Sequence, residues 1–382
     1  MCAVMPVLLA AASVWTNPLP SGANPDAVPL VGGVQYATVL HATAATGGYN
    51  HNARLYFHDG VFHAMWSNHR YGEDAPGQRV LHATSKDGLA WSDPDELMPA
   101  IVPEAPHGRT GLFSYGCEMF PWQGRLFAEI RISSVVGWDD RDHSTRSESA
   151  TKECRYPVYK PVGRVFREIL PEGAFGELFS DAPQAFPSAI IPQIRPLGEV
   201  CPGFVRPRAP FNLTDAFKQN PEKRRLCEPT VWQAKDGRYT SLLRDDSGSG
   251  CKWITFSDDG FKWTRPQITD MPDAPSLSCA AKLPDGRILL VGNHCRPFRD
   301  AATGRWHVRD PLMISVSDDG VHFIRTWAVR RGCPAPRVPN VAYRSGGAAY
   351  PNILVVGEYC YVIYSIGRED VELARMPLTA FL

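Results

Sequence analysis

Along most of the chain, apolar and polar residues alternate in short runs such as Phe62-His63-Ala64-Met65-Trp66, or form brief apolar stretches such as Ile288-Leu289-Leu290-Val291. Alternation with a period of two marks a strand with one buried face, and a short apolar run between turn residues suits a strand buried on both. No long segment carries the 3.6-residue period of an amphipathic helix. The runs are separated by tight-turn signals: His58-Asp59-Gly60, Gln123-Gly124, Asp236-Gly237, Asp285-Gly286 and Val356-Gly357. Each joins two strand-like runs as a hairpin.

Three further turns share one pattern: Ser85-Lys86-Asp87-Gly88-Leu89-Ala90-Trp91, Ser257-Asp258-Asp259-Gly260-Phe261-Lys262-Trp263 and Ser317-Asp318-Asp319-Gly320-Val321-His322-Phe323. Asp accepts backbone hydrogen bonds, Gly supplies the left-handed dihedral and the aromatic packs back over the turn. This is the Asp-box. Ser257 and Ser317 lie 60 residues apart, and Gly237 and Gly286 lie 49 apart. Two hairpins per such interval make a four-stranded propeller blade. Residues 35–382 are therefore expected to form a single all-β domain, a seven-bladed β-propeller with six blades as the alternative. Residues 139–225, rich in Pro and charge, are read as one blade with long insertions.

Composition narrows the function. Lys+Arg 40 balance Asp+Glu 40, so no excess of cations is available to neutralise phosphates, and a nucleic-acid binder is excluded. The content of 44% hydrophobic residues argues against disorder. The apolar run Val4–Val14 is too short to span a bilayer and has the form of a secretory h-region, although no Lys or Arg precedes it. Residues 1–20 are read as a signal peptide, 21–34 as a linker, and the chain as a secreted or periplasmic monomer without membrane association. The 10 Cys show no CxxC spacing; some of them pair as disulfides if the chain is exported, and they are small buried hydrophobes otherwise.

The densest chemistry lies between Gly47 and Val80, where His51 precedes one strand and Asn68-His69-Arg70-Tyr71 follows the next. A hairpin places both ends on one edge, so the two imidazoles are candidates for proton transfer; the alternative is a pair of surface loop histidines. Tyr115 and Arg131 flank the following hairpin. A guanidinium to neutralise a carboxylate, a base for C5 and an acid for O4 are what β-elimination of a uronoside requires. Equally open is that Tyr115 is a packed aromatic and Arg131 a strand-face ion pair.

The segments Tyr49-Asn50-His51, Phe62-His63-Ala64-Met65-Trp66-Ser67-Asn68 and Glu73-Asp74-Ala75-Pro76-Gly77-Gln78-Arg79-Val80, followed by an Asp-box, resemble the opening of the sialidase-like propeller polysaccharide lyases, which include ulvan lyases and rhamnose–glucuronate lyases. The likeness continues through Cys227-Glu228-Pro229-Thr230, Leu243-Arg244-Asp245-Asp246, Val291-Gly292-Asn293, Arg309-Asp310-Pro311-Leu312 and Ala349-Tyr350-Pro351-Asn352. The resemblance implies a seven-bladed propeller lyase whose catalytic set falls on His51, His69, Tyr115 and Arg131. Asn68, Glu228, Arg244, Asp245, Asn293, Arg309 and Tyr350 would shape the sugar subsites; Arg244-Asp245 and Arg309-Asp310 are otherwise structural pairs.

The expected activity is cleavage of an acidic polysaccharide or oligosaccharide at a uronic acid. No cofactor is required. A structural divalent cation is conceivable in relatives, but no ligand spacing here supports one. Two rivals remain. An exo-sialidase-type hydrolase would share the Asp-boxes, but residues 30–50 contain no Arg and no Arg-Ile-Pro element. A non-catalytic glycan-binding propeller would need no reacting residues at all.

Overall fold

A computed structural model describes residues 11–101, 110–136, 158–186, 194–220, 224–304, 306–332, 334–341 and 346–382. Most of the expected leader, three stretches of the 139–225 region, and Cys2, Cys154 and Cys333 lie outside these residues. The chain divides into two compact units: residues 30–208 with 329–382, and residues 1–29 with 209–328.

The larger unit holds three blade sheets. The first runs Tyr49–His58, Val61–His69, Arg79–Ser85, Asp95–Met98. The second runs Thr110–Trp122, Arg125–Val136, Val158–Ile169, Phe175–Ser180, with the short Arg195–Pro196 added parallel at its edge. The third runs Ala348–Val356, Tyr359–Ile366, Asp370–Pro377 and is completed by Gln35–Leu40 from the other end of the chain.

Two four-stranded sheets form in the smaller unit, beside a two-stranded one of Phe298–Arg299 and Trp306–His307. One four-stranded sheet comprises Leu226–Gln233, Tyr239–Asp245, Cys251–Ser257 and Gln267–Pro272; the other Cys279–Lys282, Ile288–Gly292, Leu312–Ser317 and Phe323–Arg330. Val14 and Trp15, from the described end of the expected leader, are buried in this unit's core.

The all-β propeller blade is present, but among the described residues the blades number five, which corrects the expectation of seven and its alternative of six. Strand length and insertions account for the difference. First strands begin at Tyr49, Thr110, Leu226, Cys279 and Ala348, and the whole interval from Thr110 to Leu226 holds one blade with strands of 12 and 13 residues. Turn motifs mark where hairpins fold but not how long their strands are.

The Asp-boxes have the anticipated chemistry. Asp87 Oδ1 accepts the N–H groups of Leu89 and Ala90 at 2.8 and 2.9 Å, and Ser85 Oγ accepts that of Gly88 at 2.9 Å. These bonds hold the Asp87 carboxyl below the usual carboxylate range. Gly88 has φ +75°, and a Cβ there would stand 2.7 Å from the Tyr361 ring of the neighbouring blade, so the position demands glycine twice over. Gly320 repeats the device in the smaller unit: its φ is +83°, and a Cβ there would stand 2.8 Å from Ala234.

Four of the five first strands carry a bulge near their start: at His51/Arg54, Gly116/Glu118, Cys227/Thr230 and Ala349/Asn352. The bulged residues Asn52, Glu228 and Tyr350 are left-handed, with φ of 57°, 47° and 55°. Such bulges re-aim side chains and recur beside functional sites.

Candidate functional site

In the larger unit, first strands from all three blades line a cleft of about 570 Å³. Its polar wall includes Asn52, Arg54, Tyr115, Glu118, Arg131 and Arg206, with Asn352 opposite. The bulges bring these strands together. Asn52 Nδ2 and Arg54 Nε donate to the carbonyls of Gly116 and Cys117 at 3.4 and 3.1 Å, and Asn352 Oδ1 accepts from the Leu55 N–H at 2.9 Å.

Tyr115, Arg131 and Arg164 are successive cross-strand partners, a row running over three strands. The Tyr115 phenol and the Arg131 guanidinium are directly opposite across the hairpin, close enough for each to shift the other's hold on its proton. Burial and the nearby Cys117 push the phenol up, and Arg131 draws it partly back. The phenol is thus neutral near pH 7 and holds its proton, while the half-exposed guanidinium presents its charge to the cleft.

His51 belongs to an adjoining cluster. It is buried, with Nε2 3.3 Å from Glu73 Oε1 and the ring edge-on to Tyr350 at a centroid separation of 4.0 Å. Arg368 NH1 donates to Glu73 Oε2 at 2.8 Å and to Tyr49 Oη at 3.2 Å, and its guanidinium lies over the rings of Tyr49 and Tyr350. Beside Glu73, the Asp74 carboxyl is pushed up to about 7 by burial and by the Glu73 charge, against the pull of Arg368. Asp74 and Tyr115 also sense each other's charge, which connects this cluster to the cleft.

His69 lies away from the cleft wall. Its Nδ1 accepts the backbone N–H groups of Tyr71 and Gly72, each at 3.1 Å, so the ring closes the turn leading to Glu73 and Asp74. Asn68 is equally committed: it donates to Thr46 O and Asn50 Oδ1 at 3.0 and 2.8 Å and accepts from Arg79 Nε at 2.7 Å.

Burial lowers the His69 imidazole from 6.5 to about 4. Because the unfolded chain takes up a proton at this position first, His69 weakens the fold as pH falls from 6.5 and the loss levels off near 4. The stability cost of His69→Asn is therefore expected to shrink by about 1.4 kcal/mol per pH unit across that window. Urea unfolding of both proteins at neutral and mildly acidic pH measures this; a cost independent of pH would mean that His69 is not held neutral.

The remaining candidates lie in the smaller unit. Arg244 NH1 donates to Glu228 Oε2 at 2.9 Å, and its Nε stands 2.7 Å from Asp246 Oδ1. Asp245 is buried, accepting from Ser247 N, Ser249 N and Arg224 at 2.8, 3.2 and 2.9 Å. Asn293 donates to the carbonyls of Arg309 and Pro311 at 2.9 and 3.2 Å, and Arg309 NH2 donates to Pro275 O at 2.5 Å. Asp245, Asn293 and Arg309 are thus engaged within their own unit.

Sequence reasoning missed Glu73, Glu129, Arg164, Arg206 and Arg368. Glu73 sat inside a segment already singled out, yet nothing in its spacing pointed at His51. The others are brought in by strand register or by a distant loop, which no local pattern signals. Among the described residues, no group of three or more His, Cys, Asp or Glu side chains is arranged to hold a metal ion, and seven cysteines are free thiols.

A BNR repeat-like domain matches residues 191–362. No curated protein sequence matches the chain. Among solved structures, the chain resembles a sialidase with a TM-score of 0.67 at 20% identity, covering 96% of this chain but only 35% of that one. A protein of unknown function from Dyadobacter fermentans matches with a TM-score of 0.53 at 14% identity, over 90% of this chain and 99% of its own. A Hadza microbial sialidase matches with 0.55 at 12% identity, over 91% and 69% respectively. At these identities the likeness is one of fold: a BNR-repeat β-propeller of the sialidase-like kind.

Proposed function

We propose that the chain is a carbohydrate-active enzyme that eliminates across a uronoside in the cleft of its larger unit. The observation supporting this most directly is the cross-strand Tyr115–Arg131 pair on an arginine-rich cleft wall. Arg131 pairs with the uronate carboxylate and makes the C5 proton acidic. His51, which lies in the adjoining cluster beside Glu73 and outside the cleft wall, is the base this reading requires for that proton. The electron pair forms the C4–C5 double bond as the C4–O4 bond breaks, and Tyr115 protonates the departing O4. His69 holds the turn that carries Glu73 and Asp74. A polymer substrate of this kind lies outside the cell, in keeping with an exported protein.

Incubation with glucuronate-containing polymers is expected to raise the ultraviolet absorbance of an unsaturated uronate. Release of reducing ends without that absorbance would defeat elimination. Arg131→Lys, which loses the planar fork, is expected to lower kcat by about 10²- to 10³-fold; a rate near wild type would remove Arg131 from the carboxylate. The sialidase-like fold favours a second reading, hydrolysis of a sialoside whose carboxylate takes the same arginines. Turnover of a fluorogenic sialoside would select it.

A further inference from the structure

Glu129 is wholly buried, two residues from Arg131 on the same strand. Three guanidiniums surround it. Arg206 Nε donates to its Oε2, while the Nε atoms of Arg131 and Arg164 stand 3.7 and 3.6 Å from its Oε1. A buried carboxylate must be paired, because leaving it bare costs several kcal/mol. The three arginines therefore compete for one anion, and the winner gives up its charge to the protein.

Arg206 is placed to win. It follows Phe204, which is buried among Phe120, Phe127, Phe166 and Phe179, with Trp122 alongside. Its NH1 donates to Pro207 O at 3.0 Å and its NH2 to Glu118 Oε2 at 3.4 Å, so the guanidinium is fixed on several sides. Arg131, more exposed at 44% against 29% for the Arg206 side chain, instead lines the cleft opposite Tyr115.

We propose that Arg206 is a positioning residue: by occupying Glu129 it leaves Arg131 turned toward Tyr115, with its charge available to an acidic sugar. The ligand named here rests on the acid-sugar reading above; the arrangement of the arginines does not. Without Arg206, Glu129 would draw Arg131 inward, and Tyr115 and the sugar carboxylate would lose their cation together.

The test uses Arg206→Gln, Glu129→Gln and the double variant. Tyrosines are labelled with ¹³C at the ring carbon bearing the hydroxyl, and Tyr115→Phe identifies the resonance. In Arg206→Gln, Tyr115 is expected to ionise at higher pH than in the wild type, and a glucuronate-containing oligosaccharide to bind about tenfold more weakly by calorimetry. In the double variant both are expected to return toward wild type, because the anion that captures Arg131 is gone. An unchanged Tyr115 titration in folded Arg206→Gln, as when Arg164 takes over Glu129, overturns the proposal, and so does a double variant without recovery.

Should Arg206→Gln fail to fold, Glu129→Gln decides alone. Because Arg131 is already turned toward Tyr115 in the wild type, Tyr115 is expected to titrate close to wild type in this variant, and a Tyr115 that ionises at clearly lower pH, as when Arg131 is newly released toward it, overturns the proposal. If the wild type binds no acidic sugar, the acid-sugar reading fails, while the Tyr115 titration still judges the positioning of Arg131.

Discussion

Tyr115→Phe is expected to lower turnover on a uronate polymer by about 10²- to 10⁴-fold, the range for losing a positioned proton donor, while affinity for the acidic oligosaccharide stays close to wild type. The substitution removes one oxygen. The ring stays stacked on Phe113 at a centroid distance of 6.1 Å, and Arg131 keeps its place in the strand register. Only the hydroxyl and its proton are lost, so a fall in rate without a fall in affinity identifies the phenol as the acid. Because burial and Cys117 raise the phenol, wild-type activity is also expected to decline at alkaline pH only above the ordinary tyrosine range. Rates and calorimetric affinities of the two proteins, compared at the same pH, check this. A Tyr115→Phe variant that still turns over at the wild-type rate would remove the phenol from the chemistry.

Trp66→Ala carries the largest expected stability effect, about 3–5 kcal/mol. The indole is wholly buried in the core of the first blade with Leu55, Leu81, Ile363 and Leu373. Its Nε1 donates at 3.0 Å to Asn50 Oδ1, which also receives Asn68 Nδ2, while Asn50 Nδ2 donates to Gly47 O and Glu369 O at 3.1 and 2.6 Å. Truncation therefore opens a cavity and strips one donor from a buried amide. Urea unfolding of the wild type and variant measures the loss; a cost below about 1 kcal/mol would mean that the blade collapses onto the space. The same network explains Asn68. In the chain it stands beside candidate catalytic residues, but its amide is consumed by Thr46, Arg79 and Asn50, the residue that in turn bonds Glu369.

The local devices were legible because their causes are local. An Asp two residues ahead of the N–H it accepts, or a Gly whose dihedral has no alternative, reads the same in sequence and in space. So do the strand runs. The pairing of Tyr115 with Arg131 does not, because the two-residue turn alone would set Arg131 opposite Gly116, and the bulge at Gly116/Glu118 is what brings Tyr115 into register. The blade count was not legible, since strands of 12 and 13 residues and the long path to Leu226 carry no turn motif to mark them.

The site itself divides along the same line. Sequence alone determined the propeller-blade architecture and its Asp-box turns, because each rests on contacts between residues close along the chain or in hairpin register. Tertiary structure alone decided that His51 faces Glu73, that His69 is spent on a turn, and that Glu129 is shared among three arginines. Those contacts join residues up to 295 positions apart, as between Glu73 and Arg368, and which cation reaches a buried carboxylate is set by packing, of which the order of residues carries no local trace.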